Sequence, residues 1–149
     1  MNLVSMRVLE HVHGHIGWLA ALALVHPAIL LRRPRRRAML AAGAATLLAT
    51  LAALLGATMY PAYRTQIKPA LFAEAPAIGW AFERKEHLAT AAVLLAWAGL
   101  ATHYAARPEA EGDTIRLARI AHGSYVAAAL CALATATLGI AVACQRSFE

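Results

Sequence analysis

Four long apolar runs, set between short charged segments, constrain the fold of this 149-residue chain more than any other feature. They cover residues 16–31, 38–60, 88–106 and 120–144. Each approaches or exceeds the ~20 residues that a helix needs to cross a hydrocarbon core about 30 Å thick. Hydrophobic residues make up 60% of the chain and charged residues 15%, a balance that suits lipid rather than a water-exposed surface. We therefore predict an all-α integral membrane protein.

Helix is the expected conformation of all four runs, because a lipid-embedded backbone must satisfy its polar groups internally and these runs are rich in Ala and Leu. The predicted helices cover about residues 12–31, 36–60, 83–106 and 116–144. An outer connection at residues 61–82 joins the middle two, and residues 1–149 form one domain. Short turns between the other neighbours predict an antiparallel four-helix bundle.

Basic residues predict the orientation of this bundle. Eight of the fourteen Lys and Arg residues flank the turns after the first and third helices, and five of them belong to the run RRPRRR at residues 32–37. Basic residues in short loops favour the cytoplasmic side, so we expect both termini to lie outside, in a bacterial inner membrane. The same run is expected to bind anionic lipid headgroups, and it is too short and too close to the membrane to favour nucleic acid.

Seven histidines are the main indication of function, since polar groups at membrane depth are costly and usually have a partner or a role. They fall into an outer layer and an inner layer: His11, His13, His15 and His87 in the first, and His26, His103 and His122 in the second. At 100° per residue His11, His15 and His26 share one face of the first helix, whereas His13 points the opposite way. His15 and His26 are separated by about 16 Å of helix rise, a spacing suited to two stacked redox centres.

Haem ligation is the chemistry that this spacing favours. Neutral imidazole is a good axial ligand of haem iron, and a site with two histidines needs rings on facing helices. We predict an outer pair of His15 with His87 and an inner pair of His26 with His122. His103 is an alternative to His122 as the inner ligand.

Neighbouring residues fit this hypothesis. Pro27 removes a backbone hydrogen bond next to His26 and can bend the helix so that the imidazole turns into the bundle. Trp18 lies on the histidine face and would line a haem or a quinone, although packing is a frequent role for tryptophan. Tyr125, one turn after His122, would hydrogen-bond to a haem propionate, a quinone oxygen or a neighbouring helix.

A haem-free metal site is the alternative chemistry of the outer layer. His11 and His15 are four residues apart, as are Glu83 and His87, and Glu86 is adjacent. Mixed imidazole and carboxylate ligands suit zinc, iron or copper more than calcium. The glutamates are better explained as acidic residues at a helix N-terminus, whereas a functional role is favoured for His87.

Two segments resemble a known class of proteins. The pattern HGHIGWLAALALVHP in the first helix and KEHLATAAVLLAWAG in the third resemble small four-helix membrane cytochromes of b type. The resemblance implies His15, His26 and His87 as ligands of one or two b haems, while His122 rests on depth and topology. It implies electron transfer, with a quinone or a redox protein as partner, by a redox subunit or membrane oxidoreductase. A metal-binding or metal-transport protein and a structural anchor subunit are the alternatives, and an oligomer is compatible with each.

Overall fold

The computed structural model describes residues 3–33, 38–106 and 114–145, which are helical and include no strand. The helices are α1 (Leu3–Leu30), α2 (Ala38–Ala62), α3 (Lys68–Glu74), α4 (Pro76–Ala105) and α5 (Thr114–Gln145), and a π-helical turn, Tyr63–Ile67, joins α2 to α3. Four stretches, containing α1, α2, α4 and α5, are long and apolar enough to cross a membrane. The prediction of an all-α chain with four candidate membrane spans is confirmed.

The four long helices pack as a bundle. α1 lies against α2 and α5, and α4 lies against the same two helices, so α1 and α4 occupy opposite corners. The register of α2 and α4 is antiparallel: Tyr63 stacks on Phe82 at one end, with ring centroids 5.6 Å apart, and Thr46 Oγ1 lies 3.4 Å from the Ala96 carbonyl oxygen further along. We call the end near residues 61–75 the loop end. The opposite end, near Arg32 and Arg33, is the arginine end.

Small residues fill the interior between the centre of the bundle and the arginine end. Most of the buried side chains there are alanines, which allow helices to approach closely. Tyr125 of α5 crosses this core, where its hydroxyl donates to the Ala42 carbonyl of α2 at 3.1 Å and lies 2.8 Å from Thr46 Oγ1. Its ring packs against Gly99 of α4. One buried side chain thus connects three helices.

The segment expected to be an irregular outer connection is helical. α2 runs through Pro61 to Ala62, and only Ala75 separates α3 from α4. Pro69 and Pro76 lie in the first turns of α3 and α4, where a missing N–H costs no helical hydrogen bond. Two of the three prolines in this segment therefore begin helices, and Pro61 lies near the end of α2. The predicted start of the second helix at residue 36 lies outside the described residues.

Candidate functional site: a half-buried polar cluster at the loop end

Four polar side chains meet inside the bundle near its loop end. Glu10 and His13 come from α1, Tyr63 from the π-helical turn and Lys85 from α4. The Tyr63 hydroxyl donates a short hydrogen bond to Glu10 Oε1, and the charges of Lys85 and Glu10 both act on the His13 ring. We call these four residues the loop-end cluster.

Aromatic rings hold the ammonium of Lys85. Its Nζ lies 5.1 Å from the centroid of the Phe82 ring and 5.9 Å from that of Tyr63, distances at which a ring face attracts a cation. Lys85 Cδ is 3.8 Å from the place that a β-carbon would occupy at Gly139 of α5. The carboxylates of Glu86 and Glu10 supply the compensating negative charge. Lys85 is therefore a half-buried cation held from several sides.

His13 occupies the side of the cluster that faces α2. Its ring lies over Gly56, where an added β-carbon would be 3.0 Å from Cε1, so the glycine provides the space for the imidazole. The Nδ1 atom is buried and has no hydrogen-bond partner. Such an atom is uncommon in folded proteins and leaves a nitrogen able to accept or donate a proton.

Two apolar clusters enclose the polar one. Towards the arginine end lies the alanine-rich core, which includes Ala52. On the loop side lies a second cluster of buried side chains, one from each of the five helices and one from the π-helical turn: Met6, Met59, Ile67, Leu71, Phe82 and Val142. Apolar surroundings of this kind strengthen hydrogen bonds and charge interactions, because less water screens them.

An ion pair lies on the rim of the cluster. Lys68 Nζ, in the first turn of α3, is 2.5 Å from Glu83 Oε1 of α4, and the two side chains are 20% and 28% exposed. The Phe72 ring of α3 fills the space at Gly79 and meets Trp80 edge-on, with centroids 5.6 Å apart. The short helix α3 is therefore anchored to α4 by both charge and aromatic contacts.

The predicted outer haem pair lies on the surface of the bundle. His15 and His87 are both exposed, and each Nδ1 is 2.8 Å from a carbonyl of its own helix, at His11 and Glu83 respectively. His11 is exposed too and makes the same kind of contact with the Arg7 carbonyl. The face predicted to carry the ligands is thus the outer face of α1, and the structure does not direct these rings into the interior.

The predicted inner pair is divided between surface and interior. His26 is exposed while Pro27 beside it is fully buried, so the proline does not turn the imidazole inward. His122 is half-buried, and its Nδ1 is buried without a partner. His103 and Trp18 are half-buried.

Tyr125 and the glutamates also have defined places. Of the partners suggested for Tyr125, the structure shows the neighbouring helix, through Thr46 and Ala42. Glu83 pairs with Lys68, and Glu86 is half-buried near Lys85. Within the described ranges, no group of three or more His, Cys, Asp and Glu side chains is arranged to hold a metal ion.

Sequence reasoning did not select the loop-end cluster. A signal was present, because Glu10 and His13 are three residues apart and therefore share a helix face, which lies opposite His11 and His15. Comparison with protein-family models, curated proteins and solved structures finds no match to the chain.

Proposed function

We propose that this protein is a multi-pass membrane protein that binds and exchanges protons at the loop-end cluster, as the proton-handling part of a redox or transport process. The observation that carries the proposal is the Tyr63–Glu10 hydrogen bond beside Lys85, next to the unpartnered Nδ1 of His13. Ionisable side chains inside membrane bundles commonly mark proton relays and ion pathways.

The chemistry of the cluster supports this function. Glu10 accepts a hydrogen bond from the Tyr63 hydroxyl, and it is one of the two carboxylates near Lys85. A proton added to Glu10 would remove that negative charge, and it would change both the hydrogen bond that Tyr63 makes and the charge interaction of Lys85. Interacting ionisable groups of this kind suit proton uptake at one member and release at another. The imidazole of His13 adds a ring nitrogen that can accept or donate a proton.

The proposal includes the orientation of the bundle in the membrane. The arginine end would face the cytoplasm of a bacterium and bind anionic lipid there, which puts the loop-end cluster at the opposite face of the inner membrane. Protons, a quinone or a redox partner protein would then reach the cluster from the outside.

Infrared difference spectroscopy between acidic and neutral buffer tests the proposal on the full-length protein in lipid nanodiscs. We expect the protonated-carboxyl band to contain a component at the frequency of a poorly solvated carboxyl, and this component to be lost in Glu10→Gln, because the glutamine side chain keeps the shape but cannot ionise. Glu74→Gln is the matched control, since Glu74 is exposed. A band that is unchanged in Glu10→Gln and in a Lys85→Met variant would reject a proton-binding role for the cluster.

Electron transfer by b haem is a second candidate, favoured by one observation: the partly buried His122 has a nitrogen without a partner, as an axial ligand would before binding iron. The protein purified from cells supplied with haem should then show sharp reduced bands that weaken in His122→Ala. Absence of colour together with bound zinc, iron or copper would favour the metal-binding alternative. Absence of both would favour a structural subunit.

A further inference from the structure

The outer surface between α2 and α4 contains an apolar groove near the arginine end. It has a volume of about 470 Å³, within the range of ligand pockets, and is lined by Met39, Gly43, Trp97, Leu100, Ala101 and Tyr104. Gly43 and Ala101 keep it open, and a β-carbon added at Gly43 would meet nothing within 4 Å. The groove is separate from the loop-end cluster, since Met39 is the second residue of α2 and Tyr104 the penultimate residue of α4.

Hydrogen bonds fix one wall of the groove. Trp97 Nε1 donates to Thr50 Oγ1 at 3.1 Å, and the Thr50 hydroxyl donates to the Thr46 carbonyl at 2.8 Å. The indole is therefore held in place although 49% of its surface is exposed. A groove with a fixed wall loses little conformational freedom when a ligand fills it.

Charge indicates the class of ligand. Arg32 and Arg33 after α1 and Arg116 and Arg119 in the first turns of α5 are exposed at this end, whereas the acidic residues that the structure describes, Glu10, Glu74, Glu83 and Glu86, lie towards the loop end. Basic residues at the same end of the bundle as a groove between membrane helices favour an anionic headgroup, while the lining suits an acyl chain. We infer that the groove is a binding site for one anionic phospholipid, with an acyl chain against Trp97 and Gly43 and the phosphate at the arginines.

Lipid binding to the full-length protein tests this inference. The delipidated protein is titrated with phosphatidylglycerol or phosphatidylcholine in detergent, and bound lipid is counted by native mass spectrometry, with the thermal unfolding midpoint as a second readout. We expect one phosphatidylglycerol to bind in preference to phosphatidylcholine and to raise the midpoint. Gly43→Leu should reduce its affinity by about tenfold or more, since displacing two methylene groups from the groove suffices for that loss.

Gly123→Leu is the matched control, because Gly123 is exposed on α5 near the same end and its added β-carbon would also meet nothing within 4 Å. It should leave binding unchanged, while Arg32→Gln with Arg33→Gln should remove the preference for phosphatidylglycerol. Equal binding by Gly43→Leu and the unaltered protein would overturn the inference, as would equal affinity for both lipids. Recovery of a quinone in place of phospholipid from the purified protein would also overturn it.

Discussion

His13 and His15 lie two residues apart on α1 and meet opposite environments. His15 is exposed and bonds to its own backbone, whereas His13 lies over Gly56 with Lys85 nearby. Helical geometry correctly predicts that the two rings point in opposite directions, but it does not say which direction is the interior. That choice depends on packing against small residues of other helices, such as Gly56 of α2, and it cannot be predicted from the spacing of residues along α1.

The hydrogen bond between Tyr63 and Glu10 should contribute measurably to stability. We expect Tyr63→Phe and Glu10→Leu each to lower the free energy of unfolding, and the double variant to lose less than the sum of the two. The expected coupling is about 1–3 kcal/mol, since a hydrogen bond to a charged group in a poorly solvated place is worth more than a neutral one. Unfolding by a denaturing detergent, followed by circular dichroism, measures each variant.

Glu10→Leu combined with Tyr125→Phe is the control for this cycle. Tyr125 bonds to Thr46 and Ala42 and shares no partner with Glu10, so these two changes should be additive. Additivity in the Tyr63 cycle as well would show that the hydrogen bond contributes nothing to the folded state.

At the scale of elements, the sequence predicts the four apolar helices well and the connection at residues 61–82 poorly. Length and hydropathy are local properties, and they suffice to identify α1, α2, α4 and α5. We predicted residues 61–82 as a connection outside the four helices, yet helix is compatible with a proline in the first turn, as at Pro69 and Pro76. The π-helical turn has no comparable sequence signal.

The contact between α4 and α5 should be sensitive to one added methyl group at Gly99. A β-carbon there would lie 2.9 Å from the Tyr125 ring and 3.3 Å from Ser124 Cβ, and two hydrogen bonds keep the Tyr125 ring from moving away. We expect Gly99→Ala to lower stability by about 1 kcal/mol, because overpacking costs about 1–3 kcal/mol and outweighs the gain in helix propensity. Thermal unfolding in detergent measures the change.

Gly17→Ala is the comparison for this variant. Gly17 lies in α1, and its added β-carbon would meet nothing within 4 Å, so the higher helix propensity of alanine should act alone. If Gly99→Ala proved as stable as Gly17→Ala, the close approach of α4 and α5 at Tyr125 would be contradicted.

At the scale of the whole molecule, the distribution of charge predicts how the bundle is oriented. Cys144 is exposed near the end of α5, on the loop-end side, and Cys131 is half-buried. In a Cys131→Ser background, a membrane-impermeant maleimide added to intact cells should label Cys144, because the arginine end is expected to face the cytoplasm. A cysteine introduced at Arg33 in a Cys144→Ser background should react only after the membrane is permeabilised. The reverse pattern of labelling would invert the orientation.

The loop-end cluster could not be predicted from the properties of the whole sequence, such as its distribution of charge. The loop-end cluster needs α1, the π-helical turn and α4 to meet at one depth, and that meeting depends on helix order and register. In a water-soluble protein the apolar face of a helix is the buried one. In a membrane, an apolar face of α1 can point to lipid as well as to the bundle interior, so the pattern does not identify the buried face. The distribution of charge therefore predicts which side of the membrane each end of the bundle faces, but it does not predict which face of each helix points into the bundle.

The π-helical turn Tyr63–Ile67 takes up one residue more than the α turn it replaces. Deleting one residue of 64–67 would therefore restore continuous α-helix and leave α3 in nearly the same rotation relative to α2, so that Lys68 would stay beside Glu83. Deleting a residue from the regular α-helical part of α2 would instead rotate all that follows by about 100°. The π turn is thus the place in the outer segment where a change of chain length disturbs the geometry around Lys68 and Glu83 least.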